Sequence, residues 1–100
     1  MYIRTITPAG TYPLRRLVLR DNDADALVAW PGDDHPKGFH LGAFLDDDLI
    51  GVASFRPESD PLLQGERPYR LRGMATHPDH QGMGVGTEIL RSAIAMLRER

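Results

Sequence analysis

Between residues 69 and 98 the apolar pattern changes from a period of two to a helical period across a run of glycines, and this junction constrains the chain most. Upstream, Tyr69 to Thr76 alternates, so Leu71, Gly73 and Ala75 are expected on one face and Arg70, Arg72 and Met74 on the other. Downstream, from about Gly84 to Arg98, Ile89, Leu90, Ala93, Ile94 and Leu97 form one side of a helix. Gln81-Gly82-Met83-Gly84-Val85-Gly86 joins the two. Glycines at alternate positions let the backbone turn tightly and expose its N–H groups. Beside a helix N-terminus those donors favour an anion, above all a pyrophosphate. The simpler alternative is a tight strand-to-helix turn, which one glycine would serve; three alternate glycines ask for more. A P-loop is excluded, because Thr87 and Glu88 follow Gly86 where Lys and Ser/Thr are needed. A Rossmann fingerprint is excluded too, since the third glycine comes one residue early.

The rest of the chain reads as strands and helices in one order. Tyr2 to Thr7 is a short strand stopped by Pro8. Thr11 is the expected N-cap of a helix over residues 12–20, with Pro13 in its first turn and Leu14, Leu17 and Val18 on its apolar face. Ala24 to Trp30 has room for a second short helix capped by Asp23, ended by Pro31-Gly32-Asp33-Asp34. Phe39, Leu41, Ala43 and Leu45 alternate with His40, Gly42 and Phe44. After an acidic turn at Asp46-Asp47-Asp48, Leu49 to Arg56 forms the return strand, with Ile50, Val52 and Ser54 on one face and Gly51, Ala53 and Phe55 on the other. Residues 57–68 hold three prolines and a glycine and read as a loop. The expectation is a single α+β domain over residues 1–100, one sheet with helices packed on it.

Composition removes several chemistries. There is no cysteine, hence no disulfide scaffold, thiolate metal site or cysteine nucleophile. No apolar run is long enough for a membrane span, and Met1 to Thr5 lacks a signal-peptide core. A formal charge of −2 makes no general case for nucleic acid or an anionic membrane. The expected location is the cytoplasm. Charge is uneven, however: residues 21–60 carry ten acids against Lys37 and Arg56, whereas residues 1–20 carry four arginines and no acid.

Leu71 through Gly86, with Gln81, Gly84 and Gly86 at the decisive positions, resembles the acetyl-CoA motif of the GCN5-related N-acetyltransferase (GNAT) family. The hairpin Leu41-Gly42-Ala43-Phe44 to Leu49-Ile50-Gly51-Val52-Ala53-Ser54 and the helix at Pro13-Leu14-Arg15 resemble that family's earlier elements. The resemblance implies a GNAT-like, mostly antiparallel sheet flanked by helices. It implies acetyl-CoA as co-substrate, no metal, and direct transfer of acetyl to a small-molecule or peptide amine. Gln81, Gly82, Met83, Gly84, Val85, Gly86 and Thr87 would cradle the pyrophosphate. Met74, Ala75 and Thr76 would pair with the pantetheine arm like an added strand, and an N–H near Met74–Ala75 would face the thioester carbonyl.

The family's later strands, and its usual thiolate-protonating tyrosine, have no counterpart before Arg100. The sequence is therefore expected to be an N-terminal portion or a shortened relative, and a non-catalytic coenzyme A-binding remnant stands as the alternative function. No general base is assigned. Glu66 reads as a loop acid, His40 as a structural histidine with a secondary reading as a base acting through water, and Arg70 and Arg72 as surface pairs. His77 and His80 lack a third ligand. The strand 69–76, left without its outer neighbour, and the helix 84–98, left without full cover, are expected to make the chain a homo-oligomer, with one or the other in the contact.

Overall fold

Four strands form one antiparallel sheet in the computed structural model, which describes residues 1–58 and 68–99. They are β1 (Tyr2–Ile6), β2 (Phe39–Leu45), β3 (Asp48–Pro57) and β4 (Tyr69–Thr76), lying side by side in sequence order. Helical segment α1 (residues 8–19) follows β1, and helix α2 (Val85–Arg98) follows β4. The architecture is the expected α+β sheet with helices on it, and every strand pair among the described residues is antiparallel.

The β2–β3 hairpin closes through Asp46 and Asp47, with Leu45 opposite Asp48 and Asp46 at φ 53°. Aspartate tolerates that left-handed conformation better than most side chains, which suits a two-residue turn. On one face of the hairpin Phe39, Leu41, Ala43, Ala53 and Phe55 meet Val85, Ile89 and Ala93 of α2. Gly51 lies directly under this helix, and a Cβ there would stand 2.5 Å from Val85 Cγ1. On the other face Val52 and Ala75 pack against Leu14 of α1, bordered by Ile6, Leu17, Val18 and Leu49.

Two bulges break the expected alternation. Ala43 faces Gly51 but Phe44 faces Leu49, so Ile50 is an extra residue and turns into the α2-side cluster, away from Val52 and Ser54. Between β3 and β4, Val52 faces Ala75 while Ser54 faces Arg72, leaving Gly73 and Met74 opposite Ala53. Gly73 sits at φ 65°, a conformation glycine adopts without a Cβ clash. This second bulge puts Arg72 and Ala75 on the same face, against the sequence expectation.

The first helical segment also starts earlier than Thr11. It is a 3-10 turn (Pro8–Thr11), one α turn (Tyr12–Leu14) and a π turn (Arg15–Leu19). Thr7 supplies the cap, its Oγ1 accepting from Gly10 N–H at 3.3 Å. Thr11 is buried and its hydroxyl donates to Pro8 O at 2.6 Å. Thr7, expected only as the end of the first strand before Pro8, is the cap in place of Thr11, which makes no side-chain cap hydrogen bond. No helix forms over residues 24–30. Asp23 Oδ1 accepts from Asp25 N–H at 2.9 Å, a local turn that competes with helix. Val28 O and Trp30 N–H are then taken by Arg15 and Asp33 side chains.

Candidate functional site

The end of β4 leads into the glycine loop through a set of local hydrogen bonds. Thr76 faces Gly51, and His77 N–H donates to Ile50 O at 2.8 Å, extending the ladder by one residue. A 3-10 turn (Pro78–His80) follows, capped by His77 Nδ1, which accepts from Asp79 N–H at 3.1 Å. Gln81 Nε2 reaches back to Thr76 O at 3.2 Å and so ties the loop to the strand. Gly82 and Gly84 stand at φ 81° and 78°, and a Cβ at either would meet nothing within 4 Å. Backbone conformation demands glycine there, and the space in front is open. Val85 is buried against the sheet and fixes where α2 begins. The first helical bond is Glu88 N–H to Gly84 O at 3.0 Å; the N–H groups before it are the unpaired donors of a helix start. Gly86 serves a different need, since its Cβ would come 3.1 Å from Met74 Sδ.

Met74, Ala75 and Thr76 thus end β4, and Gln81 to Thr87 follow as the loop and first turn of α2, with Ala75 and Val85 buried on opposite faces of the sheet. The macrodipole and free donors at the start of α2, with open space in front of Gly82 and Gly84, suit a diphosphate. The same strand lies at the edge of the sheet, with β3 on one side only among the described residues. Open space that side chains at Gly82 and Gly84 would enter, next to a strand with one strand neighbour among the described residues, fits the coenzyme that the sequence points to.

The opposite face of the sheet holds a polar network that sequence reasoning missed. Arg15 is fully buried. Its Nη1 donates to Val28 O at 2.8 Å and Asp33 Oδ2 at 2.7 Å, and its Nη2 to Asp33 Oδ1 at 2.9 Å and Ser54 Oγ at 2.8 Å. The guanidinium lies 4.0 Å over the Trp30 ring, while Nε has no acceptor. Asp33 Oδ2 also accepts from Trp30 N–H at 2.9 Å. Burial pushes the Asp33 carboxyl up, but hydrogen bonds from Arg15 and Trp30 N–H, with the charges of Arg15 and His40, more than reverse this and hold it below its ordinary value.

His40 is buried, as its structural reading requires, with Nδ1 2.6 Å from Ser54 Oγ and Nε2 2.8 Å from Asp33 O. The network pins residues 28–33 to the sheet and seats Trp30 on the Gly73 bulge, where a Cβ would meet Trp30 Cζ3 at 2.4 Å. No spacing rule connects Arg15, Asp33 and Ser54, which are 18 and 39 residues apart from the arginine. The single signal was the Pro-Gly-Asp-Asp turn.

Other candidates resolve plainly. Arg70 and Arg72 both pair with Glu58, the surface role expected of them. His77 and His80 stack edge-on with centroids 5.8 Å apart, and among the described residues no group of three or more His, Cys, Asp or Glu could hold a metal ion. Glu66 lies outside the described residues. No helix among them is long and apolar enough to cross a membrane.

Residues 8–100 match the sequence model of the Acetyltransferase (GNAT) family. The chain belongs to the GNAT family. It is 39% identical over 98 residues to an uncharacterized N-acetyltransferase, YitI, of Bacillus subtilis (strain 168), an alignment covering 97% of this chain and 65% of the relative. This GNAT chain therefore spans just under two thirds of that relative's length. Its fold is that of a ribosomal-protein-alanine N-acetyltransferase from Brucella melitensis biovar Abortus 2308, with a TM-score of 0.75, 21% identity, and coverage of 100% of this chain and 73% of the other. A predicted acetyltransferase from Clostridium acetobutylicum, solved with acetyl-CoA, superposes with a TM-score of 0.71 at 16% identity, over 99% of this chain and 74% of that one.

Proposed function

We propose that this GNAT chain carries the coenzyme half of an N-acetyltransferase that moves acetyl from acetyl-CoA to an amine. One observation carries the reading: Gly82 and Gly84 hold left-handed backbone beside the N-terminus of α2 with open space in front, at the foot of an edge strand. Backbone N–H groups from Gly82 to Thr87 would bind the diphosphate, with Gln81 holding the loop to Thr76. The edge of β4 at Met74, Ala75 and Thr76 would pair with the two amides of the pantetheine arm. Acetyl-CoA supplies an activated thioester, so the protein needs no nucleophile of its own. An N–H at Met74–Ala75 would stabilise negative charge developing on the acyl oxygen. The names of the relatives support the same class of reaction.

Gly84→Asp tests it. The new carboxylate would enter the open space, and a like charge about 4 Å from a phosphate costs about 4 kcal/mol at an effective dielectric of about 20. Titration calorimetry with acetyl-CoA should show binding at least about 100-fold weaker than for the parent chain. Equal affinity in the two proteins would sink the assignment of this loop.

A further inference from the structure

Arg15, Arg56, Arg70 and Arg72 gather where β3 and β4 meet the turn at residues 30–33. Among the described residues they form ion pairs with two carboxylates, Asp33 and Glu58. Arg15 is matched by Asp33, whereas Arg70 and Arg72 share Glu58. Arg56 has no carboxylate partner among the described residues; its Nη1 donates to Pro31 O and passes over Gly32, where a Cβ would clash with it. The strand register concentrates this charge, because Arg56 lies directly opposite Arg70 and Ser54 directly opposite Arg72. Like charges opposite each other on an antiparallel pair repel. Asp34 does not relieve them, being exposed and outside the cavity that these side chains line.

That cavity measures ≈ 50 Å³ and is lined by Arg56 and Arg72 together with Trp30, Asp33, His40 and Ser54. The Asp33 oxygens are taken up by Arg15 and Trp30 N–H, and Ser54 and His40 bond each other, Arg15 and Asp33 O. Arg72 is different. Its side chain is partly open to solvent, yet its Nε is buried and has no acceptor. A buried donor that belongs to a cation and lacks an acceptor costs more than a neutral one. Water occupies about 30 Å³ in the liquid, so the space takes one or two groups of that size and excludes phosphate esters and acyl chains.

We infer that one small monovalent anion, of the class of chloride or formate, binds in this cavity between Arg56 and Arg72. It supplies the missing acceptor to Arg72 Nε and a counter-charge to Arg56, and so ties the turn at 30–33 to both strands.

Trp30 lines the cavity and is the one tryptophan of the sequence, so a heavy halide bound there quenches its emission directly. Sodium bromide is titrated into the full chain at constant ionic strength, balanced with sodium gluconate, whose anion is too large for the cavity. Quenching should saturate, and sodium chloride or sodium formate should reverse it by competition. Arg72→Gln and Arg56→Gln should each weaken bromide binding at least about 10-fold, the loss of one charge-assisted hydrogen bond. Quenching that rises linearly and equally in parent and variants is collision alone and overturns the site. A second measurement needs no variant. The melting midpoint of the parent chain should rise as chloride replaces gluconate, as a ligand held by the folded state alone requires. A midpoint that the exchange leaves unmoved makes water the occupant and overturns the site.

Discussion

Asp33→Asn should be among the most damaging single-atom changes available to this fold. Its two carboxylate oxygens take three donors: Arg15 Nη1 and Trp30 N–H on Oδ2, and Arg15 Nη2 on Oδ1. An amide has one acceptor and one donor, so either orientation turns an NH2 group against Arg15 N–H. The guanidinium, fully buried, also loses its counter-charge. Breaking a buried pair from one side costs about 3–5 kcal/mol. Against a usual total of about 5–15 kcal/mol that is a large share, and for a domain of this size it lowers the melting midpoint by at least about 12 °C. Urea and thermal unfolding followed by circular dichroism would measure it, with Trp30 emission as a local probe because the guanidinium covers its ring. Asp34→Asn, at the exposed neighbour, should stay within about 0.5 kcal/mol. Arg15→Met with Asp33→Asn should cost less than Asp33→Asn alone, since no charge is then left without a partner. A loss below about 1 kcal/mol for Asp33→Asn, or a double variant as weak as the sum of its parts, would refute the account.

Three further expectations follow from the same structure. Because the folded Asp33 carboxyl lies below its ordinary value, its contribution is complete above the unfolded value of about 3.9 and is lost as pH falls through the lower folded value. Acid unfolding curves of the parent chain should thus show a limb below about pH 4 that Asp33→Asn flattens, and parallel curves would contradict it. Gly73→Ala places a Cβ 2.4 Å from Trp30 Cζ3 at φ 65°, so it should cost at least about 1–2 kcal/mol and shift Trp30 emission; a neutral melt would show that the ring is not seated there. We also propose that a second copy docks on α2 or on the part of β4 before Met74, where β3 is the one strand neighbour among the described residues, so sedimentation equilibrium should find a dimer or larger, and a folded monomer at tens of micromolar would reject this.

How much could be read from the sequence differs between the two faces of the sheet. The α2 face was legible because its residues obey local periods: Phe39, Leu41 and Ala43 at every second position, and Ile89 and Ala93 one helical turn apart. The loop Gln81 to Gly86 was legible because glycine at alternate positions has few other uses. Ile50 and Arg72 were assigned to the wrong faces, since a bulge inserts one residue and inverts everything beyond it, and nothing in Leu49-Ile50-Gly51 marks the insertion. Gly73 was the available sign for the second bulge, read instead as an ordinary strand position. The Arg15 network was illegible for a different reason. It joins a helix, an irregular segment and two strands through side chains, and such pairings have no period. Asp23 to Trp30 failed as a helix because tertiary partners claimed its backbone groups, a contest that local propensity does not describe.

The order β1-β2-β3-β4 also sets how this sheet meets solvent deuterium. The two inner strands are bonded on both sides, so both rows of their amides are held and the β2–β3 hairpin should form the slow-exchanging core. In β4 alternate amides point away from β3, toward the side with no strand among the described residues, and from Arg70 on these should exchange orders of magnitude faster than their neighbours one residue along. Protection along a single strand would then alternate residue by residue, broken only where Gly73 shifts the phase. Whatever molecule settles against that edge will announce itself by slowing the fast half of the pattern and leaving the slow half as it was.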